Sequence, residues 1–211
     1  MGATALQPGW MMALPESEET SVQAVPARVL SADEVVGQVR LAQRGDNEAF
    51  GVLVKLYHAR VYNFLFRMMN GSAEAEDLTQ ETFVRAFKAI ERFDFRCAFS
   101  TWLFTIAKRA ALNHFRDTRR HNHVEIDADD HPVEDTPASD HERADQGKRL
   151  WSIARTLKPV YHEVLWLRYG EDFSMEEIGR IISRPALYVK VVLHRARTAL
   201  AKKLEKEGLA L

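Results

Sequence analysis

Twelve residues from Phe93 to Phe104, reading Phe-Asp-Phe-Arg-Cys-Ala-Phe-Ser-Thr-Trp-Leu-Phe, hold five aromatic rings and Arg96. They lead directly into a stretch carrying Lys108, Arg109, Arg116, Arg119 and Arg120. Rings can receive unstacked bases and cations can take phosphates, so this spacing suits a single nucleic-acid strand. A simpler reading competes: Phe93, Phe99, Leu103 and Ile106 form a core. Both hold together if part of the rings pack while the loop residues stay available. The cations fall on more than one side of a helix, so one strand cannot touch them all.

A second basic block runs from Arg184 to Lys203, with six bases and no acid. Lys190, His194, Arg195 and Arg197 lie off its apolar stripe, where they can reach base edges and phosphates in a major groove. Lys202 and Lys203 lie further along and give general attraction. The competing reading is a solvated amphipathic helix.

Catalysis has little support. His121-Asn122-His123 lies in a polar stretch without the strand or ligand-bearing helix that a nuclease site would need. The pairs Asp129/Asp130 and Glu134/Asp135 read as solvating charge rather than as a general acid and base. No Gly-rich phosphate loop, HExxH or nucleophile elbow occurs. One cysteine, Cys97, can neither close an internal disulfide nor build a multi-cysteine zinc site. The expectation is a binding protein that is not an enzyme and has no catalytic residue, metal or cofactor.

The elements that carry these residues read as helices throughout. Phe50, Leu53, Val54, Tyr57, Val61, Phe64, Leu65 and Met68 form one stripe at steps of three, four and one, the mark of a helix of about five turns. Asn70-Gly71 stops it. Ser72 can cap the next helix, whose first turns carry Glu74, Glu76 and Asp77, where the helix dipole favours anions. Its buried side is Leu78, Phe83, Val84, Phe87 and Ile90. Further on, Leu157-Lys158-Pro159 breaks a helical region that begins near Leu150. Ser174-Met175-Glu176-Glu177 is a capping box opening a short helix that buries Ile178, Ile181 and Ile182. After the turn Ser183-Arg184-Pro185 comes a longer helix with Val189, Val192, Leu193, Ala196 and Leu200 on one stripe. A short helix, a tight turn and a basic second helix make a helix-turn-helix.

The 211 residues allow one or two small domains, at roughly 100–200 residues each. With 46% hydrophobic and 28% charged residues the chain has an ordinary globular composition. No apolar run approaches the ~18 residues of a membrane span, and the start has no basic n-region for a signal peptide. A reducing, cytoplasmic compartment is therefore expected. The overall charge is −1, but it is unevenly placed. Phe95–Arg120 has six bases against one acid, while His121–Gly147 has nine acids against Arg143 alone. Two basic blocks held apart by an acidic spacer suggest two polyanion-facing surfaces. The expected architecture is all-α. Residues 1–31 form a disordered extension, 32–120 a first helical domain, 121–147 a flexible acidic linker, and 148–206 a second domain with the helix-turn-helix.

The order of motifs resembles region 2 of the extracytoplasmic-function sigma factors of bacterial RNA polymerase. It runs Arg44-Gly45-Asp46-Asn47-Glu48-Ala49-Phe50, then Ala75–Phe83 (AEDLTQETF), then Phe99–Ala107 (FSTWLFTIA). Leu157–Leu165, Met175–Gly179 and Leu193–Arg197 resemble region 4. The likeness covers about Asp33–Arg120 and Leu150–Leu204.

This resemblance implies that Asp77, Leu78, Gln80 and Glu81 dock on the clamp helices of the β′ subunit of core polymerase. It implies that Phe95, Arg96, Phe99, Ser100, Trp102, Lys108, Arg109, Asn113, Arg116, Arg119 and Arg120 melt and hold the single-stranded −10 element. Region 4 would sit on the β flap and read the double-stranded −35 element with Tyr188, Lys190, Val191, His194, Arg195 and Arg197. An anti-sigma protein is a further partner that the resemblance admits; no membrane insertion is implied. The acidic linker would thread toward the RNA exit channel. Extruding a base costs a few kcal/mol, so the isolated chain should bind promoters weakly.

Two departures stand out. The family's Asn after Ile-Ala-Arg/Lys is here Arg109, with Asn113 one turn on. Where the family reads Pro-Val-Gly-Thr-Val-Lys-Ser-Arg-Leu, this chain has Pro185-Ala186-Leu187-Tyr188-Val189-Lys190-Val191-Val192-Leu193. Val191 and Val192 thus put apolar groups at two positions expected to face the groove. Altered −35 specificity is expected rather than loss, because Lys190, His194, Arg195 and Arg197 remain. The rival reading from the residues is a stand-alone helix-turn-helix repressor or activator, which would bind duplex DNA alone as a dimer.

Overall fold

The computed structural model describes residues 30–69, 73–121 and 143–207, with backbone only at 119–121, 143–146 and 148. Every regular element among these is helical. The expected N-terminal extension, up to residue 29, and most of the expected linker, 122–142, lie outside the described residues.

The front helices are α1 (Ala32–Gln43), α2 (Asn47–Met68), α3 (Glu74–Ala89) and α4 (Phe99–His121), with a 3-10 turn at Ile90–Arg92. Helix α1 starts at a capping box: Ser31 accepts from the Glu34 amide while the Glu34 carboxylate takes the Ser31 amide. Asp46 caps α2 by accepting from the amides of Glu48 and Ala49. The anticipated stripe from Phe50 to Leu65 is buried. The expected cap of α3, Ser72, lies outside the described residues, and Ala73 just before the helix makes no side-chain cap bond. The three acids of its first turn stand near the exposed amides instead. The buried side of α3 also includes Thr79 and Thr82. Each satisfies its hydroxyl by donating to a carbonyl one turn back, Ala75 and Leu78 respectively, at 2.7 Å.

The rear helices are α5 (Arg143–Arg155), α6 (Pro159–Leu165), α7 (Met175–Ile181) and α8 (Ala186–Lys206). Helix α5 begins at Arg143, so the last residues assigned to the linker, 143–147, are helical. Between α6 and α7 the chain makes a π-helical turn, Trp166–Gly170, which the periodicity did not signal. A Cβ on Gly170 would lie 2.7 Å from the Trp166 ring, so the absent side chain lets the indole lie over the backbone. The helix-turn-helix forms as expected, with the Ser174–Glu177 capping box closed in both directions. At its turn Ser183 has φ 56°, and a Cβ on Gly179 would meet the Arg184 carbonyl oxygen at 2.6 Å.

Front and rear helices share one core. Phe104 of α4 packs tilted against Phe64 at 5.2 Å on one side and edge-on to Phe173 at 5.0 Å on the other. Apolar burial of this continuity is the main cohesive term.

Candidate nucleic-acid interface

The segment between the 3-10 turn and α4 is held from both ends. The Gln43 side-chain amide donates to the carbonyls of Ile90 (3.0 Å) and Phe93 (2.7 Å). Asp94 accepts from the Arg96 amide and pairs with the Arg96 guanidinium at 2.6 Å. Between them Phe95 sits at φ 60°, a left-handed conformation unusual for an aromatic residue. Such strain persists only where surroundings fix it. Here the Phe93 ring lies 4.8 Å from the Phe95 ring, with the Arg40 guanidinium 5.6 Å from its centroid. The result is a ring 37% exposed beside an arginine side chain 86% exposed.

The expected −10 residues separate into groups. Phe95, Arg96, Arg109 and Arg116 are exposed, while Ser100, Trp102 and Asn113 are half-buried. Phe99 is only 4% exposed, and its ring meets Tyr57, Phe93 and Trp102. It supports the loop from beneath and cannot receive a base, which corrects its place in the base-facing set. Arg116 donates to the Asn113 side-chain Oδ1 at 3.0 Å. Arg109, Asn113, Arg116 and Arg120 recur at steps of four, three and four, one face of α4. The side chains of Arg119 and Arg120 lie outside the described residues.

Lys108 points elsewhere. Its ammonium pairs with the Glu163 carboxylate of α6 at 2.6 Å, and both side chains are largely buried. This is one of several polar contacts between front and rear. Arg60 of α2 pairs with the buried Glu171 at 2.8 Å. Thr101 donates to Glu177 at 3.0 Å, and Arg180 of α7 donates to the Arg96 carbonyl at 2.8 Å. The Arg67 guanidinium lies 3.7 Å over the Trp166 ring. None of these partners carried a signal in the sequence, because they join positions 55–111 residues apart. Burial pushes the Glu171 carboxyl up, against the pull of Arg60. For Glu177 burial also pushes up, but hydrogen bonds from Ser174 and Thr101 and the charge of Arg180 prevail and hold it low. Burial, aided by Arg67 and Arg155, pushes the His162 imidazole down to about 4.

On α3, Asp77, Gln80 and Glu81 are exposed, with Glu81 paired to Arg85 at 2.7 Å. Leu78 is 5% exposed and belongs to the core, which removes it from the surface set. On α8, Tyr188, Lys190, Val191, His194, Arg195 and Arg197 are all exposed. Val192 is not: it is 5% exposed and packs inward with Val189 and Leu193. Its expected groove-facing position is corrected, since the helix stripe that buries Val189 and Ala196 carries Val192 with it. Leu187, absent from the expected set, is 72% exposed.

No helix among the described residues is long and apolar enough to cross a membrane. The family model for sigma-70 region 2 matches residues 53–121. The ECF RNA polymerase sigma factor SigW of Bacillus subtilis (strain 168) is 31% identical over 181 residues, covering 79% of this chain and 95% of the relative. The fold resembles that of CnrH in its complex with the cytosolic domain of CnrY, with TM-score 0.60 and 22% identity over 83% of this chain and 99% of that one. It also resembles the sigma factor RpoE from Bartonella quintana in complex with the anti-sigma factor NepR, with TM-score 0.55 and 22% identity over 72% of this chain and 94% of that one. The motifs over both helical halves and the near-complete span of a curated relative agree: the chain belongs to the extracytoplasmic-function sigma factors of RNA polymerase.

Proposed function

We propose that the chain binds core RNA polymerase in the cytoplasm, brings it to specific promoters and helps open the −10 element, acting by binding alone and not as an enzyme. Family membership favours this over a stand-alone helix-turn-helix repressor. Helix α3 offers Asp77, Gln80 and Glu81 to the β′ clamp helices. The rear helices form region 4, with α8 set into the −35 major groove and the β flap as its seat. An anti-sigma protein is a further partner of the same surfaces.

The observation that carries the −10 assignment is the strained, exposed Phe95 beside Arg96, at the mouth of a helix whose outer face carries Arg109 and Arg116. A flipped base needs a ring to replace its lost stacking and a cation for its phosphate. Phe95 supplies the first and Arg96 the second, above the buried Phe93 against which Trp102 packs. Base–aromatic stacking is worth ~1–3 kcal/mol, so Phe95→Ala should cut promoter opening by about tenfold or more. Opening is read by 2-aminopurine fluorescence in the −10 element with the assembled holoenzyme, while duplex binding upstream stays as in the parent. Unchanged opening in Phe95→Ala and Arg96→Ala would remove these residues from the melting step.

A further inference from the structure

The outward face of α8 has an unusual make-up for a groove-reading helix. At 3.6 residues per turn, Leu187, Val191, His194 and Thr198 fall within roughly 60° of one another and form the midline of the exposed side. Lys190 and Arg197 stand on one shoulder, Tyr188 and Arg195 on the other. Leu187 is 72% exposed and Val191 43%, the most exposed aliphatic pair at adjacent turns of this helix. The Arg184 guanidinium lies 5.6 Å from the Tyr188 ring and holds it at the helix start. No acid occurs from Arg184 to Lys203. An aliphatic midline with cationic shoulders and no acid fits a polyanion whose centre is apolar.

We infer that Leu187 and Val191 read thymine in the upstream duplex through its C5 methyl group. This rests on the placement of α8 in the −35 major groove. An aliphatic side chain has neither donor nor acceptor, and the thymine methyl is the one apolar feature the major groove presents. Against guanine or cytosine the same side chain would strip water from base edges and give no hydrogen bond back. Lys190, Arg195 and Arg197 then hold the phosphates on either side and fix the register without reading sequence. Burial of Val192 makes Val191, not Val192, the reader on the second turn.

The test uses the unaltered full chain assembled with core polymerase. A randomised upstream element is first selected for binding; each thymine in the winner is then replaced singly by deoxyuridine, which lacks only the methyl. Two positions should lose about fourfold in affinity each, the worth of one buried methyl. In Leu187→Ser and Val191→Ser holoenzymes the thymine–uracil difference should vanish at one position each and persist at the other. Deoxyuridine that is neutral everywhere, in an element whose scrambling still costs affinity, overturns methyl reading and leaves α8 in the groove. Scrambling without any cost overturns the placement of α8 itself. Loss of binding to a protein partner, with thymine–uracil discrimination intact in both variants, assigns this face to that partner and overturns the inference.

Discussion

At the scale of single residues, environment rather than residue type decides what each candidate does. Phe95, Phe99 and Phe93 lie within seven residues, yet only Phe95 presents its ring, because a left-handed backbone turns it outward. No periodicity reports a positive φ at phenylalanine, so the sequence could list the rings but not sort them. Leu78 and Val192 are buried where the helical stripes place them, against the surface roles that the resemblance implies: a motif names a position, and the stripe decides its face. His162 gives a testable consequence of burial. Its imidazole, enclosed by Trp151 and near Arg67 and Arg155, is held at about 4 against an ordinary 6.5. Between these values the unfolded chain binds a proton that the folded chain refuses. The contribution to stability is therefore full above pH 6.5 and is lost as pH falls toward 4. The unfolding free energy from urea titrations at pH 7 to 5 should fall by up to about 1.4 kcal/mol per pH unit for this group, and His162→Gln should flatten that slope. An identical slope in the variant would place the titration elsewhere.

Elements were the most legible level. Helical stripes in α2 and α8, the Ser174–Glu177 box and the helix-turn-helix all stand where the spacing put them, because caps and period are local properties. The π-helical turn at Trp166–Gly170 was not legible: it depends on an indole folding over Gly170, a contact between side chain and backbone. The helix-turn-helix depends on a similar close approach. Arg184 donates its amide to the Gly179 carbonyl at 2.8 Å, and its own carbonyl fills the space a Cβ on residue 179 would need. Gly179→Ala should therefore destabilise the fold by about 2 kcal/mol or more in spite of alanine's better helix propensity, read as a drop in thermal midpoint. A variant as stable as the parent would mean the turn relaxes freely.

At the scale of the whole molecule, two basic blocks and an acidic spacer are legible in the residues, but nothing in them signals that α6, the π-helical turn and α7 pack against α2 and α4. Residues expected to face nucleic acid meet carboxylates there: Lys108 pairs with Glu163, and the start of α4 meets Glu177 through Thr101. The face of α8 proposed to read the −35 element remains open in the same arrangement, with Leu187, Val191 and Arg195 exposed. Charge patterning could not foresee these pairs, since each joins a front helix to a rear helix across 55 or 76 residues of chain. If this molecule works as a detachable subunit of a polymerase, assembly with core enzyme is where that shows. Purified full chain is titrated into core RNA polymerase, followed by promoter-dependent run-off transcription. Saturable association of one chain per core enzyme is expected, weakened by reversing the charge of Asp77 and Glu81, with specific transcripts only when both components are present. A chain that ignores core polymerase and binds duplex DNA by itself as a dimer would contradict it.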